Sequence, residues 1–186
     1  MGLKLRLLQI LIPAPVKTAT IKEFFEFTAY AFECAPPAFE GQPHIEMLHI
    51  FSDFFKDEAE KAIRKGDDLG EVKQRLFENA RLLGQKLKDR YRIRTLRDAF
   101  RMARAIFRIL LIDFEGDARG EIVVRRCFFS SQFSKEVCSI ISRFDEGLLS
   151  GLTGGGVLTY IERITDCSAC CRARFRLNAP EKRRGR

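Results

Sequence analysis

Arg125-Arg126-Cys127-Phe128 and Cys170-Cys171-Arg172-Ala173-Arg174-Phe175 bracket the stretch that decides the fold. Between and within them lie five of the six cysteines, the glycine triplet Gly154-Gly155-Gly156 and most of the strand-like sequence. Glu121 to Cys127 is rich in β-branched and small residues and follows the turn Glu115-Gly116-Asp117-Ala118-Arg119-Gly120, so with Ile109 to Phe114 it reads as a β-hairpin. Val157 to Ile164 and Cys170 to Leu177 form a second hairpin across Thr165-Asp166-Cys167-Ser168-Ala169. Between the hairpins, Ser134 caps a helix over about Lys135 to Leu149, which Gly151 and the glycine triplet end.

Outward toward the N-terminus the periodicity becomes helical. Thr20-Ile21-Lys22-Glu23 has the form of a capping box and starts a helix to about Phe32, ahead of Pro36-Pro37. Phe24, Phe25, Phe27, Tyr30 and Phe32 surround much of that helix, which predicts that other elements clamp it. From Pro43, apolar positions keep helical spacing as far as Gly66. From near Asp68, Leu69, Val72, Leu76, Ala80, Leu83 and Leu87 make one stripe, and the short link through Gly66 predicts an antiparallel pair with the preceding helix. A further helix follows Thr95, with Asp98 as its box partner. Residues 3–12 read as a short helix or an extended arm packed on the body.

Helices first and hairpins later predict an α+β fold: N-terminal helices packed on a C-terminal four-stranded antiparallel sheet of two hairpins, with a helix between them. The expected organisation is one domain over residues 1–177, helical over 1–108 and cysteine-rich over 109–177, followed by a basic tail at 178–186. The chain carries a formal charge of +8, to which Glu181 to Arg186 contribute +3. The remaining surplus suits an anionic small molecule. Basic residues are scattered and the aromatics fit core stripes, so no nucleic-acid platform is formed. The apolar runs fall short of the roughly 20 residues a membrane span needs. Adjacent Cys170 and Cys171 fit a secreted disulfide framework poorly, so the expected location is cytoplasmic. Self-association as a homo-oligomer stays open.

Side-chain alternation sorts the thiols. Cys171, Ala173 and Phe175 share one face of the last strand, whereas Cys170 lies with Arg172, Arg174 and Arg176 on a basic face that favours a thiolate. Cys138 and Asp145 share a helix face, and Asp145-Glu146 near a helix C-terminus opposes the helix dipole, which points to a role beyond stability. Cys127, Cys138, Cys167 and Cys170 are the set that would hold zinc or an iron–sulfur cluster, since Cys167-Ser168-Ala169-Cys170 has knuckle spacing. The alternatives are inert buried thiols and a reactive thiolate; no histidine lies in this half to build a Cys–His pair. The cofactor stays unassigned. His44 and His49, five residues apart, do not share a helical face and read as surface or boundary residues. The glycine triplet is a helix-to-strand connection or, alternatively, an anion cradle.

Arg125-Arg126-Cys127, Cys138, Asp145-Glu146-Gly147, the glycine-rich step, the strand Leu158 to Ile164 and Cys170-Cys171 resemble the L-2-amino-thiazoline-4-carboxylic acid hydrolase-like family. Glu78 to Gly84 and Phe100 to Ile112 resemble the segment that precedes that family's cysteine region. The same cysteine-ended hairpin is similar to the 4-vinyl reductase domain, a small-ligand-binding module. The first resemblance implies hydrolytic opening of a small heterocyclic carboxylic acid, on a C–N or C–S bond. In that reading Cys127 or Cys138 is nucleophile or ligand, Asp145 the acid–base group, and Arg126 and Cys170 the substrate contacts. The second implies a non-catalytic small-ligand or metal-binding module. Asp166-Cys167-Ser168-Ala169 departs from the Gly-Asp turn expected before the Cys-Cys pair.

Overall fold

A computed structural model describes residues 11–66 and 69–178. Most of the expected N-terminal arm, the Asp67-Asp68 link and the basic tail from residue 179 onward therefore lie outside the described residues. Among the described residues, five α-helices and a four-stranded antiparallel sheet follow one another in the expected order: four helices, a hairpin, a helix and a second hairpin.

Helix α1 spans Ala14–Ala31 and begins earlier than the capping-box reading places it. Pro13 is the N-cap, and the N–H groups of Val16 and Lys17 already bond to its carbonyl. Pro15 fits in the first turn because that turn has no intrahelical use for its missing N–H. Thr20 is therefore interior, and its hydroxyl donates to the Val16 carbonyl at 2.8 Å. The helix is not clamped all round either: Phe24 and Phe25 are buried, but Tyr30 is 65% exposed.

Helix α2, His44–Lys65, starts after Pro43 and stops at Gly66, whose φ of 70° is the left-handed turn that ends many helices. Helix α3 covers Leu69–Tyr91, and helix α4, Leu96–Ile109, is capped by Thr95, whose Oγ1 accepts from the Asp98 N–H at 3.1 Å. The α4 helix runs through Ile109, so the first strand is much shorter than the expected Ile109 to Phe114. It is β1, Phe114–Gly116, paired with β2, Glu121–Val124. Helix α5 spans Lys135–Thr153, with Ser134 accepting from the Val137 N–H at 3.2 Å. Strands β3, Val157–Glu162, and β4, Cys171–Arg176, complete the sheet in the order β1-β2-β4-β3.

The sheet has one wet face and one dry face. Arg174 meets Glu121 and Arg172 meets Glu162 across strands on the wet face. Ile122, Ala173, Phe175 and Leu158 point inward and are buried, as the alternation predicts for Ala173 and Phe175.

Helix α3 packs most extensively along α5, not along α2 as the short link suggests. A Cβ on Gly147 would lie 2.1 Å from the Phe77 carbonyl oxygen, and one on Gly151 would lie 2.1 Å from that of Arg81. Further along, the Lys88 ammonium donates to the Thr153 carbonyl at 3.1 Å. Since 77, 81 and 88 meet 147, 151 and 153 in the same order, the two helices run parallel, backbone against backbone. Gly84 contributes from the α3 side, where an added Cβ would come within 2.4 Å of the Leu148 carbonyl oxygen. Gly151 is thus not a helix terminator. It is a contact residue, and α5 continues past it to Gly154. No helix among the described residues is long and apolar enough to cross a membrane.

Candidate functional site

On the other side of α5 the packing opens. Cys138, Ile141, Ser142, Asp145 and Leu149 recur at helical spacing along one stripe and line a cavity of about 90 Å³. Across from them stand Phe24 of α1, Phe51 and Phe55 of α2, and the sheet residues Leu158, Tyr160, Cys171 and Ala173. Phe129 and Phe133, on and just after the 3-10 turn Phe128–Ser131, close another side. The rings brace one another: Phe24 meets Phe144 edge-on at 4.7 Å, and Phe129 stacks on Phe133 at 5.3 Å.

Four polar side chains of this wall, Asp145, Tyr160, Arg163 and Cys138, are linked in one chain of contacts. The Tyr160 hydroxyl donates to Asp145 Oδ2 at 2.7 Å. The Arg163 guanidinium lies 3.7 Å from the centre of the Tyr160 ring and points an N–H at Cys138 Sγ, 3.8 Å away. Cys171 Sγ accepts from the Ile164 N–H at 3.4 Å, and Ser130 donates to the Cys127 carbonyl. Thr165 also lines the cavity, and its hydroxyl has no partner in the protein.

Asp145, Tyr160 and Cys127 keep part of their accessible surface although protein surrounds them, because that surface is cavity wall. Removal from water governs their protonation. Burial raises the Asp145 carboxyl to about 7, with the Tyr160 hydroxyl and Arg163 opposing the rise and Glu146 adding to it. The Cys127 thiol is pushed up to about 12, again by burial first; the Phe129 N–H opposes this, and Asp145, Cys138 and Cys171 add to it. Burial followed by the Asp145 charge raises Tyr160 well above the usual phenol range. Cys171 rises by burial, partly offset by the Ile164 N–H. At neutral pH, Cys127 is a neutral, apolar-like thiol and Asp145 is near half-protonation.

Cys127, Cys138 and Asp145 all line the cavity, Cys138 and Asp145 from the one helix face on which their spacing places them. Arg126 is exposed and is not among the lining residues; its carbonyl accepts from the Asp113 N–H at 2.8 Å. Cys170 is half-buried and does not line the cavity. Cys171, expected as a small core residue, is half-buried on the cavity wall. Cys127 is the N-cap of the 3-10 turn, beyond the end of β2. Cys167 is exposed. Among the described residues, no group of three or more His, Cys, Asp or Glu side chains is arranged to hold a metal ion.

Tyr160, Arg163 and Thr165 escape the sequence reading. Tyr160 carries a signal, since it alternates with Leu158 on the inward face. Arg163 carries a misleading one. Strict alternation along Val157 to Ile164 puts it with Thr159 and Ile161 on the wet face, but the pairing shifts between Tyr160 and Glu162. That irregularity changes the parity of the residues beyond it and re-aims Arg163 toward the cavity.

No family model matches the chain, and no curated protein matches it.

Proposed function

We propose that this protein is a small-ligand-binding module whose ligand occupies the cavity between α5, the sheet and the N-terminal helices. The observation that carries this reading is the cavity itself. About 90 Å³ stands open, lined mainly by apolar side chains with Phe the commonest, in a protein that elsewhere presses helix backbones together. Ligand sites are typically apolar walls with a few convergent polar groups, and Asp145, Tyr160, Arg163 and Thr165 supply those groups here. The test is a thermal-shift and equilibrium-dialysis panel of small apolar and aromatic compounds. The same panel is run on Ala173→Leu, which fills the cavity from the sheet side. Binding by the native protein that disappears in the folded variant is the expected result. Equal binding by both proteins, or none by either, would reject the site.

A second reading, hydrolysis of a small heterocyclic acid, rests on one specific observation. Asp145, with a pKa of about 7, is suited to take a proton from water and return it to a departing ring nitrogen or sulfur near neutral pH. Water is the only co-reactant such a ring opening needs. Cys138, beside the Arg163 guanidinium, is the thiol that suits a nucleophilic role; Cys127, held protonated, does not. Turnover of 2-amino-thiazoline-4-carboxylate, lost in both Cys138→Ala and Asp145→Asn, would support hydrolysis. Absence of turnover in the native protein would remove it.

A further inference from the structure

Arg163 is the odd group in the cavity wall. A guanidinium is always charged and offers five donors, so when half-buried it is ordinarily matched by a carboxylate. Here its partners are the face of Tyr160 and the weak acceptor Cys138 Sγ. Among the described residues no carboxylate lies within ion-pair distance of it, whereas half-buried Arg75, Arg81, Arg101 and Arg143 each have one and half-buried Arg104 donates to a full acceptor, the Phe114 carbonyl, at 3.2 Å. Thr165, two residues on, adds a hydroxyl without a partner on the same wall.

We propose that the cavity takes a small apolar monocarboxylate, its carboxylate held by Arg163 and Thr165 and its hydrocarbon part lying among the Phe and Leu side chains. This rests on the ligand-module reading and names the class of ligand. The guanidinium gains the charge-assisted bonds that the protein does not give it, and the aromatic wall takes the rest of the molecule.

Asp145 decides whether a second carboxylate is tolerated nearby. The groups that act on it are the Tyr160 hydroxyl and the Arg163 guanidinium from the β3 side and Glu146 on its own helix, and its own charge in turn bears on Cys127, Tyr160 and Cys171 around the cavity. Of these, Arg163 alone is a cation. While Asp145 is protonated, the ligand anion meets no opposing charge from it. As Asp145 ionises above about pH 7, it repels the anion and competes for the field of Arg163.

The test compares matched pairs on the full chain by calorimetry, chosen small enough for a cavity of about 90 Å³: propanoate against propan-1-ol, and butanoate against butan-1-ol. Each acid is expected to bind at least about tenfold more tightly than its alcohol near pH 6, a difference of the size charge-assisted hydrogen bonds supply. Arg163→Gln should abolish that preference, and Arg163→Lys should keep part of it. Between pH 7 and 8 the acids should weaken by severalfold while the alcohols stay level. Equal affinity of acids and alcohols in the native protein would overturn the carboxylate assignment and leave the ligand module standing. Acid preference that survives in folded Arg163→Gln would overturn the role of Arg163. Binding of neither class would overturn both readings. The native-protein comparison decides even if the variants do not fold.

Discussion

Helix α5 has two faces built to opposite specifications. Toward α3 it offers Gly147 and Gly151, and carbonyl oxygens of the neighbouring helix occupy the very places their Cβ atoms would take. Toward the sheet it offers Cys138, Ile141, Ser142, Asp145 and Leu149 around open space. A protein interior normally fills to the density of an organic crystal. The first face shows that this chain reaches such closeness, so the second is not a general looseness of packing. The parallel, backbone-tight seam holds the helix rigidly, and the rigid helix in turn holds one wall of the cavity in place.

The seam should be the more fragile face. Gly151→Ala and Gly147→Ala each drive a methyl into backbone that cannot swing away, and each should cost about 3 kcal/mol or more, above the usual range for overpacking. Urea unfolding measures this. A loss below about 1 kcal/mol would mean that the helices separate easily and that the seam does not fix the wall.

The cavity face should show its character through pH. Asp145 has a higher pKa folded, about 7, than its ordinary value of 3.8, so between these pH values the folded state holds more protons than the unfolded one. Stability from this group is therefore complete below about pH 4, declines as pH rises toward 7, and levels off above. The whole shift corresponds to roughly 4 kcal/mol, and on the order of 2 kcal/mol is expected because the carboxyl keeps cavity surface. Asp145→Asn should remove this decline and be the more stable protein at pH 8. Melting curves from pH 4 to 8 that show no difference in slope between the two would contradict the burial of Asp145.

Ala173→Leu should alter stability least, by about 1 kcal/mol or less, since the space it enters already exists. A loss as large as that of Gly151→Ala would mean the two faces are equally tight. Thiol chemistry sharpens the same contrast without altering the fold. Raised to about 12, Cys127 has its thiolate fraction reduced about a thousandfold from that of an ordinary thiol. Iodoacetamide followed by peptide mass mapping should label exposed Cys167 well before Cys127.

Much of this architecture is legible in the chain. Pro43, Gly66, Thr95 and Ser134 mark helix ends because capping is local chemistry, written within four residues. The alternation of Cys171, Ala173 and Phe175 marks the buried face of β4 for the same reason. Spacing also pairs Cys138 with Asp145 on one face of α5. What it leaves out is long-range. Gly151 reads as a helix breaker because a glycine that admits a neighbouring backbone looks locally like one that ends a helix. Arg163 reads as a wet-face residue because a one-residue irregularity in β3 reverses the parity beyond it. Pro13 and Pro15 hide the start of α1, since prolines suit a first helical turn as well as a loop.

The most direct test of the cavity as a ligand site is methyl NMR of the native protein titrated with butanoate. The expected result is saturable shifts at the wall methyls, those of Leu76, Ile141, Leu149, Leu158 and Ile164 among them, with Ala62 and Val72, which do not line the cavity, unmoved. Saturable shifts at surface methyls with the wall methyls unmoved, or no shifts at all, would contradict it.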